Sequence, residues 1–202
     1  MEGSDRACAE EEDMVCLDES FFINDNYQLT TFTFGSEIVE LFCLQSASRV
    51  TGMLCGKHCR EILLTDHKEE VLKVLKKNIE LNSPSKTTIC ADLVAEKLEW
   101  GNTDQLSHIL ERYPAGFDLI LGADICFQQA SIPLLFDTVE RLLRFKGGSH
   151  CKFILAYVSR AKTMDALIIS EASRHGLQVL EVDGTRSTVG NHEGVIFEMS
   201  IH

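Results

Sequence analysis

Proline and tryptophan are scarce in this chain, and basic charge is in deficit. Of 202 residues only three are proline and one is tryptophan. So few prolines leave few obligatory breaks, and helices and strands can run to their full length. Lysine and arginine number 19 against 31 aspartates and glutamates, a formal net charge of −12. That balance argues against a nucleic-acid backbone as the main partner, which a basic face would have to neutralise. It fits a neutral or basic protein partner. No apolar run reaches the roughly 20 residues of a membrane helix, so no membrane partner is expected. The N-terminus lacks the basic-then-apolar order of a secretory signal. Eight cysteines without such a signal point to free thiols in a reducing compartment, cytoplasmic or nuclear. There is no Gly-x-Ser-x-Gly nucleophile turn and no Gly-Lys-Ser/Thr phosphate loop. Cys55, His58 and Cys59 bring metal-ligand types together, but no second pair at suitable spacing completes a zinc set, and no metal is expected.

What is present is an ordinary globular composition, 45% hydrophobic and 25% charged. Three segments are expected. Residues 1–20, with Glu10-Glu11-Glu12-Asp13, read as a disordered acidic tail. Residues 21–49 read as an N-terminal β-hairpin, from the alternation over Tyr27–Phe34 and the run Glu37–Leu44 around Gly35-Ser36. Residues 50–202 alternate helix and strand. Short strands are expected at Glu61–Thr65, Thr87–Ala91, Asp118–Ile125, Lys152–Val158, Leu177–Val182 and Gly194–Ile201. Helices are expected at Met53–Cys59, Lys68–Leu81, Thr103–Arg112, Ile132–Phe145 and Met164–His175. Alternation of this kind implies a mostly parallel sheet covered by helices. The short link from Asp183 to Glu193 suits an antiparallel pair at one edge.

The most informative stretch is residues 117–127. An unbroken apolar run, Leu119–Leu121, leads through Gly122 and Ala123 to Asp124. Such a run fits a strand buried on both faces. A carboxylate at its end lies at the carboxyl edge of the sheet, where open α/β folds bind ligands. Asp124 is therefore either a site residue or an aspartate closing a turn. Asp66 ends another strand and precedes a helix. It is placed either to accept hydrogen bonds from ribose hydroxyls or to cap the helix. Trp100, beside Gly101, either packs on a purine ring or covers the edge of the core.

Taken together, Thr65-Asp66-His67, Leu98-Glu99-Trp100-Gly101 and Phe117-Asp118-Leu119-Ile120-Leu121-Gly122-Ala123-Asp124-Ile125-Cys126-Phe127 resemble methyltransferase family 16. These are seven-β-strand, S-adenosylmethionine-dependent enzymes, many of which methylate protein lysines. The resemblance implies a class I methyltransferase-type, Rossmann-like α/β fold and a protein substrate. It implies cofactor contacts at Gly52, Asp66, Trp100 and Ala123, with Asp66 on the ribose and Trp100 near the adenine. It makes Asp124 and Phe127 the catalytic pair, the ends of an Asp-x-x-Tyr motif in which Phe127 replaces the tyrosine and loses its hydroxyl. Asp124 would orient the substrate amine, and the Phe127 ring would face the sulfonium or the ammonium. The chain departs from the family upstream. The first core strand and the Glu-Leu-Gly-x-Gly-x-Gly loop are expected before the helix, yet Ile38–Thr51 contains no glycine. Only Val50-Thr51-Gly52 resembles the end of that loop, as in a splice variant with a block removed. Impaired cofactor binding follows, and a catalytically inactive protein-binding module is the alternative function. The segment Ile38–Leu41 is expected to slide into the place of the missing central strand, because unpaired buried backbone is costly.

Overall fold

The computed structural model describes residues 27–34, 37–44, 50–82, 92–145 and 150–201. The expected acidic tail and the strand expected at Thr87–Ala91 lie outside the described residues. Strands β1 (Tyr27–Phe34) and β2 (Glu37–Leu44) pair antiparallel, with Tyr27 opposite Leu44 and Phe34 opposite Glu37, as their alternation predicts. Helix α1 (Val50–Leu54) runs into a short 3-10 turn and then β3 (Glu61–Asp66). Helix α2 (Glu69–Leu81) buries Val71, Leu72 and Leu75 on one stripe. Strand β4 (Asp92–Lys97) lies parallel to β3, with Asp66 opposite Lys97. This strand was not legible in the sequence. Asp-Leu-Val-Ala-Glu-Lys lacks a clean period of two and is rich in residues that favour helices. Its four central residues are half-buried, and it is held as a strand by its ladder to β3.

A third sheet follows. Helix α3 (Thr103–Arg112) leads to β5 (Leu119–Ala123), then α4 (Ile132–Arg144), β6 (Lys152–Ser159), α5 (Lys162–Arg174), β7 (Leu177–Glu181), β8 (Ser187–Val189) and β9 (His192–Ile201). The strand order is β5-β6-β9-β7, with β8 pairing β9. Strands β5 and β6 are parallel, and β9 is antiparallel to β6, β7 and β8. Residues paired across a ladder share a face of the sheet. One face therefore carries Ile120, Phe153, Leu155, Tyr157, Val195 and Met199, and it packs with Ile132, Phe136, Val139, Leu143 and Ile168 of α4 and α5 into the main core. The other face carries Leu119 and Leu121, which remain 45% and 39% exposed. The continuous apolar run in β5 predicts burial on both faces; the structure covers only one.

The expected insertion of Ile38–Leu41 does not occur. Strand β2 pairs with β1, and among the described residues no strand links the β3–β4 pair to β5. The outer edge of β2 is already satisfied by α2. The Phe42 N–H donates to Asn78 Oδ1 at 2.7 Å, and Asn78 Nδ2 donates to the Phe42 carbonyl at 3.1 Å. A side-chain amide here does the work of a neighbouring strand. Pairing with the adjacent β1 closes a far shorter loop than insertion between β3 and β5 would. Leu41 is buried with Met53 beside Leu54, Leu64 and Ile79. Among the described residues, no helix is long and apolar enough to cross a membrane.

Candidate functional site

The carboxyl ends of β3, β5 and β6 carry the polar groups of interest. Asp66 closes β3 with only 6% of its surface exposed. Its Oδ1 accepts the Lys68 N–H at 2.8 Å, and His67 Nδ1 lies 3.6 Å from the same oxygen. A carboxylate bonded to the amide two residues on fixes the turn that precedes α2; the N-cap of that helix is Lys68, which has no side-chain cap bond. Trp100 lies partly buried against the main core, as the core-covering alternative expects. Its loop is firmly held. The Gly101 N–H donates to Thr138 Oγ1 at 2.9 Å, the Glu99 N–H to Gln105 Oε1 at 2.8 Å, and Asn102 caps α3 through the Gln105 N–H at 3.1 Å.

At the end of β5 the backbone is under a specific constraint. The Asp124 N–H donates to the Ala156 carbonyl at 2.7 Å, extending the ladder with β6. Asp124 then adopts φ +48°, the only non-glycine residue with positive φ among those described. Aspartate tolerates this region better than most side chains. The chain leaves the sheet there. Gly122 permits the approach, since a Cβ at that position would fall 2.7 Å from Ile125 Cδ1 and 3.1 Å from Phe153 Cε2. Ala123 is exposed beside Asp124 and pairs with Ala156.

The Asp124 carboxylate holds a guanidinium. Arg160, just past the end of β6, donates from Nη1 to Oδ1 and from Nη2 to Oδ2, both at 2.7 Å. Its Cζ lies 5.0 Å from the centroid of the Phe127 ring. The site is thus a carboxylate and an aromatic face shared by one cation, a geometry that gains from both charge-assisted hydrogen bonding and the ring quadrupole. The Asp124 bonds raise the Arg160 value further above its ordinary range, against burial. Between Asp124 and Phe127, Cys126 points inward. Burial, with the Asp124 charge adding to it, pushes its thiol up to about 12. The end of β6 is pinned from below. Tyr157 Oη donates to Asp165 Oδ1 at 2.6 Å and Ser159 Oγ to Oδ2 at 2.8 Å. Burial and that bond raise the Tyr157 phenol.

The structure brings Asp124 and Phe127 together around Arg160, while Asp66 and Trp100 are held by contacts of their own. Arg160, Tyr157 and Asp165 were not singled out from the sequence. Their signal exists only once β5 and β6 are known to be neighbours. Arg160 then follows four residues after Ala156, the partner of Ala123, and faces the charge that ends the adjacent strand.

A nucleoside–methionine ligand asks for a ribose carboxylate, a flat apolar neighbour and a cradle of backbone amides for its own carboxylate. Asp66 stands at the strand end where the first belongs. Gly52 is the glycine that the resemblance assigns to the cradle. That glycine packs on β3, and a Cβ there would fall 2.4 Å from Leu64 Cδ2. Among the described residues, Asp66 is a carboxylate of the kind the ribose end asks for, and no glycine-rich amide cradle for the methionine end is seen.

Comparison with known proteins agrees with the resemblance. A family described as Lysine methyltransferase matches residues 21–174. Mouse "EEF1A lysine methyltransferase 3" is 29% identical over 130 residues, which are 63% of this chain and 47% of that protein. The Danio rerio "Protein N-lysine methyltransferase METTL21A" is 30% identical over 109 residues, 54% of this chain and 44% of that protein. The chain thus spans about half the length of the curated relatives it matches. Among solved structures, a methyltransferase from Pyrococcus furiosus aligns with TM-score 0.48 at 14% identity, covering 75% of this chain and 69% of that one. The magnesium protoporphyrin IX methyltransferase of Synechocystis, solved with bound SAM, aligns with TM-score 0.45 at 9% identity, covering 69% of this chain and 59% of that one. S-adenosylmethionine is the cofactor that membership by resemblance implies. On the match over residues 21–174, the chain belongs to the lysine methyltransferase family.

Proposed function

We propose that this chain is an S-adenosylmethionine-dependent, protein-lysine methyltransferase-type protein whose substrate side is formed and whose cofactor side is incomplete. One observation carries the reading: Asp124 and Phe127, at the carboxyl end of β5, together hold a cation. A lysine side chain entering there would meet a carboxylate to orient its amine and a ring face beside its charge. The relatives' names make protein lysines their substrates, and a protein partner suits the net charge of −12 here. The thiols of Cys43, Cys55, Cys59, Cys126 and Cys151 are free, which suits a cytoplasmic or nuclear setting. The test uses tritium-labelled S-adenosylmethionine and a library of lysine peptides. Slow labelling of lysine that is lost in Asp124→Ala supports the proposal. Labelling that persists in that variant removes Asp124 from the role.

A second reading is a catalytically silent protein-binding module. Among the described residues no strand pairs the second edge of β3 or of β5, which favours it, because a cofactor site at the carboxyl edge needs the strands on both sides of it in place. Lysine peptides that bind with no labelling at millimolar cofactor would establish that reading instead.

A further inference from the structure

The cation that fills the Asp124–Phe127 site belongs to the protein itself. Arg160 takes one bond from each carboxylate oxygen and lies over the ring, so an incoming amine meets an Asp124 already engaged by a bidentate guanidinium. The contact is bidentate, but it lies at the surface. The Arg160 and Asp124 side chains are 40% and 38% exposed. Surface ion pairs are held weakly enough to exchange partners. The backbone below is fixed by the bonds of Tyr157 and Ser159 to Asp165. Arg160 therefore extends from an anchored base. Among the described residues its one other hydrogen bond is the 3.3 Å bond from Nη1 to the Val158 carbonyl, two residues back.

We propose that Arg160 is a specificity-determining residue that occupies the amine site as a built-in competitor and must be displaced by the substrate's cation. This rests on Asp124 and Phe127 being the substrate-facing pair. A guanidinium placeholder sets a threshold. A lone alkyl ammonium, with one compact charge, competes poorly against a planar fork matched to the carboxylate. A lysine delivered on a protein that also docks elsewhere competes at high effective concentration. The site would thus refuse free amines and accept lysine only in a bound partner.

The test uses n-butylammonium as the probe and saturation-transfer NMR as the readout. Wild-type protein should bind it barely. Arg160→Gln, which keeps length and polarity without the charge, should bind it at least tenfold more tightly, and Arg160→Lys should stay near wild type. Asp124→Asn should abolish binding in the Arg160→Gln background. Equal or weaker binding by Arg160→Gln would overturn the proposal and leave Arg160 as a residue that merely positions Asp124. On the unaltered protein, butylammonium at the concentration that saturates Arg160→Gln should leave the separately resolved Nη resonances of a clamped Arg160 in place; resonances that collapse there also overturn it. Methyl transfer is not read in this experiment. Failure of the enzyme reading would appear as absent lysine labelling with butylammonium binding as stated, and failure of the competitor role as the reverse.

Discussion

Asn78→Ala tests why β2 stays with β1. Asn78 is buried, and its amide meets both the N–H and the C=O of Phe42. Each such bond contributes about 0.5–1.5 kcal/mol net, and a buried group left unpaired costs about 1–3 kcal/mol. Water reaches part of this edge, so the expected loss is about 2 kcal/mol, roughly thirtyfold in the equilibrium for opening the hairpin from α2. Asn78→Asp is a sharper probe of the same contact. It keeps an acceptor for the Phe42 N–H and sets a second acceptor against the Phe42 carbonyl, so it should destabilise by at least as much. Urea unfolding measures the loss, and amide exchange at Leu41, Phe42 and Cys43 locates it. A change under about 0.5 kcal/mol for both variants, with exchange at Phe42 unaltered, would refute the reasoning. The hairpin would then be held by Leu41 packing on Met53, not by the amide.

Further outcomes follow from the same geometry. In β5, the Asp118 carbonyl and the Asp124 N–H both face β6, so the amides of Ile120 and Gly122 should exchange slowly and those of Leu119, Leu121 and Ala123 quickly. Uniformly slow exchange would mean that a strand covers the open edge. Asp66→Asn keeps an acceptor for the Lys68 N–H and should leave melting nearly unchanged while weakening any cofactor binding, whereas Asp66→Ala should cost about 1 kcal/mol in urea unfolding, like the loss of a helix cap. Hydrogen bonding from His175, with Arg144 adding to it against burial, holds the Glu140 carboxyl below its usual range. Its contribution is present above the unfolded carboxyl value near 4.3 and is lost as pH falls through the lower folded value, so Glu140→Gln should flatten the fall in melting temperature in that acid window. At pH 8 the buried Cys126, with its thiol pushed up to about 12, should escape maleimide until the protein unfolds; labelling at the rate of an exposed thiol would contradict its place in the core.

Much of this fold is legible in the residues, for physical reasons that can be named. The hairpin shows in the alternation of Tyr27–Phe34, and α2, α3 and α4 show in their apolar stripes. The antiparallel placement of β9 follows from the short link after Asp183. Strand β4 was missed because its shape is imposed by β3 and not by its own propensities. The fate of β2 was misjudged because the decisive partner, Asn78, lies 36 residues away. Apolar patterning does not report a side-chain amide that replaces a backbone. At the site, the charge at the end of β5 marked Asp124, and the resemblance to the family's Asp-x-x-Tyr motif marked Phe127. Arg160 could not be found that way. It joins them only through the β5–β6 pairing, which places the two strand ends side by side.

The central claim is that the cofactor side is incomplete while the family's strand-end residues remain. Calorimetric titration of the full chain with S-adenosylmethionine tests it most directly. Each amide bond lost from the methionine carboxylate is charge-assisted and worth about 1.5–3 kcal/mol. Two such bonds lost from a site of about 1 μM leave roughly 0.2 mM or weaker. The account predicts binding in that weak range, reduced further by Asp66→Asn. Low-micromolar binding by the chain as it stands would contradict it, and would mean that backbone elsewhere in the protein supplies the cradle.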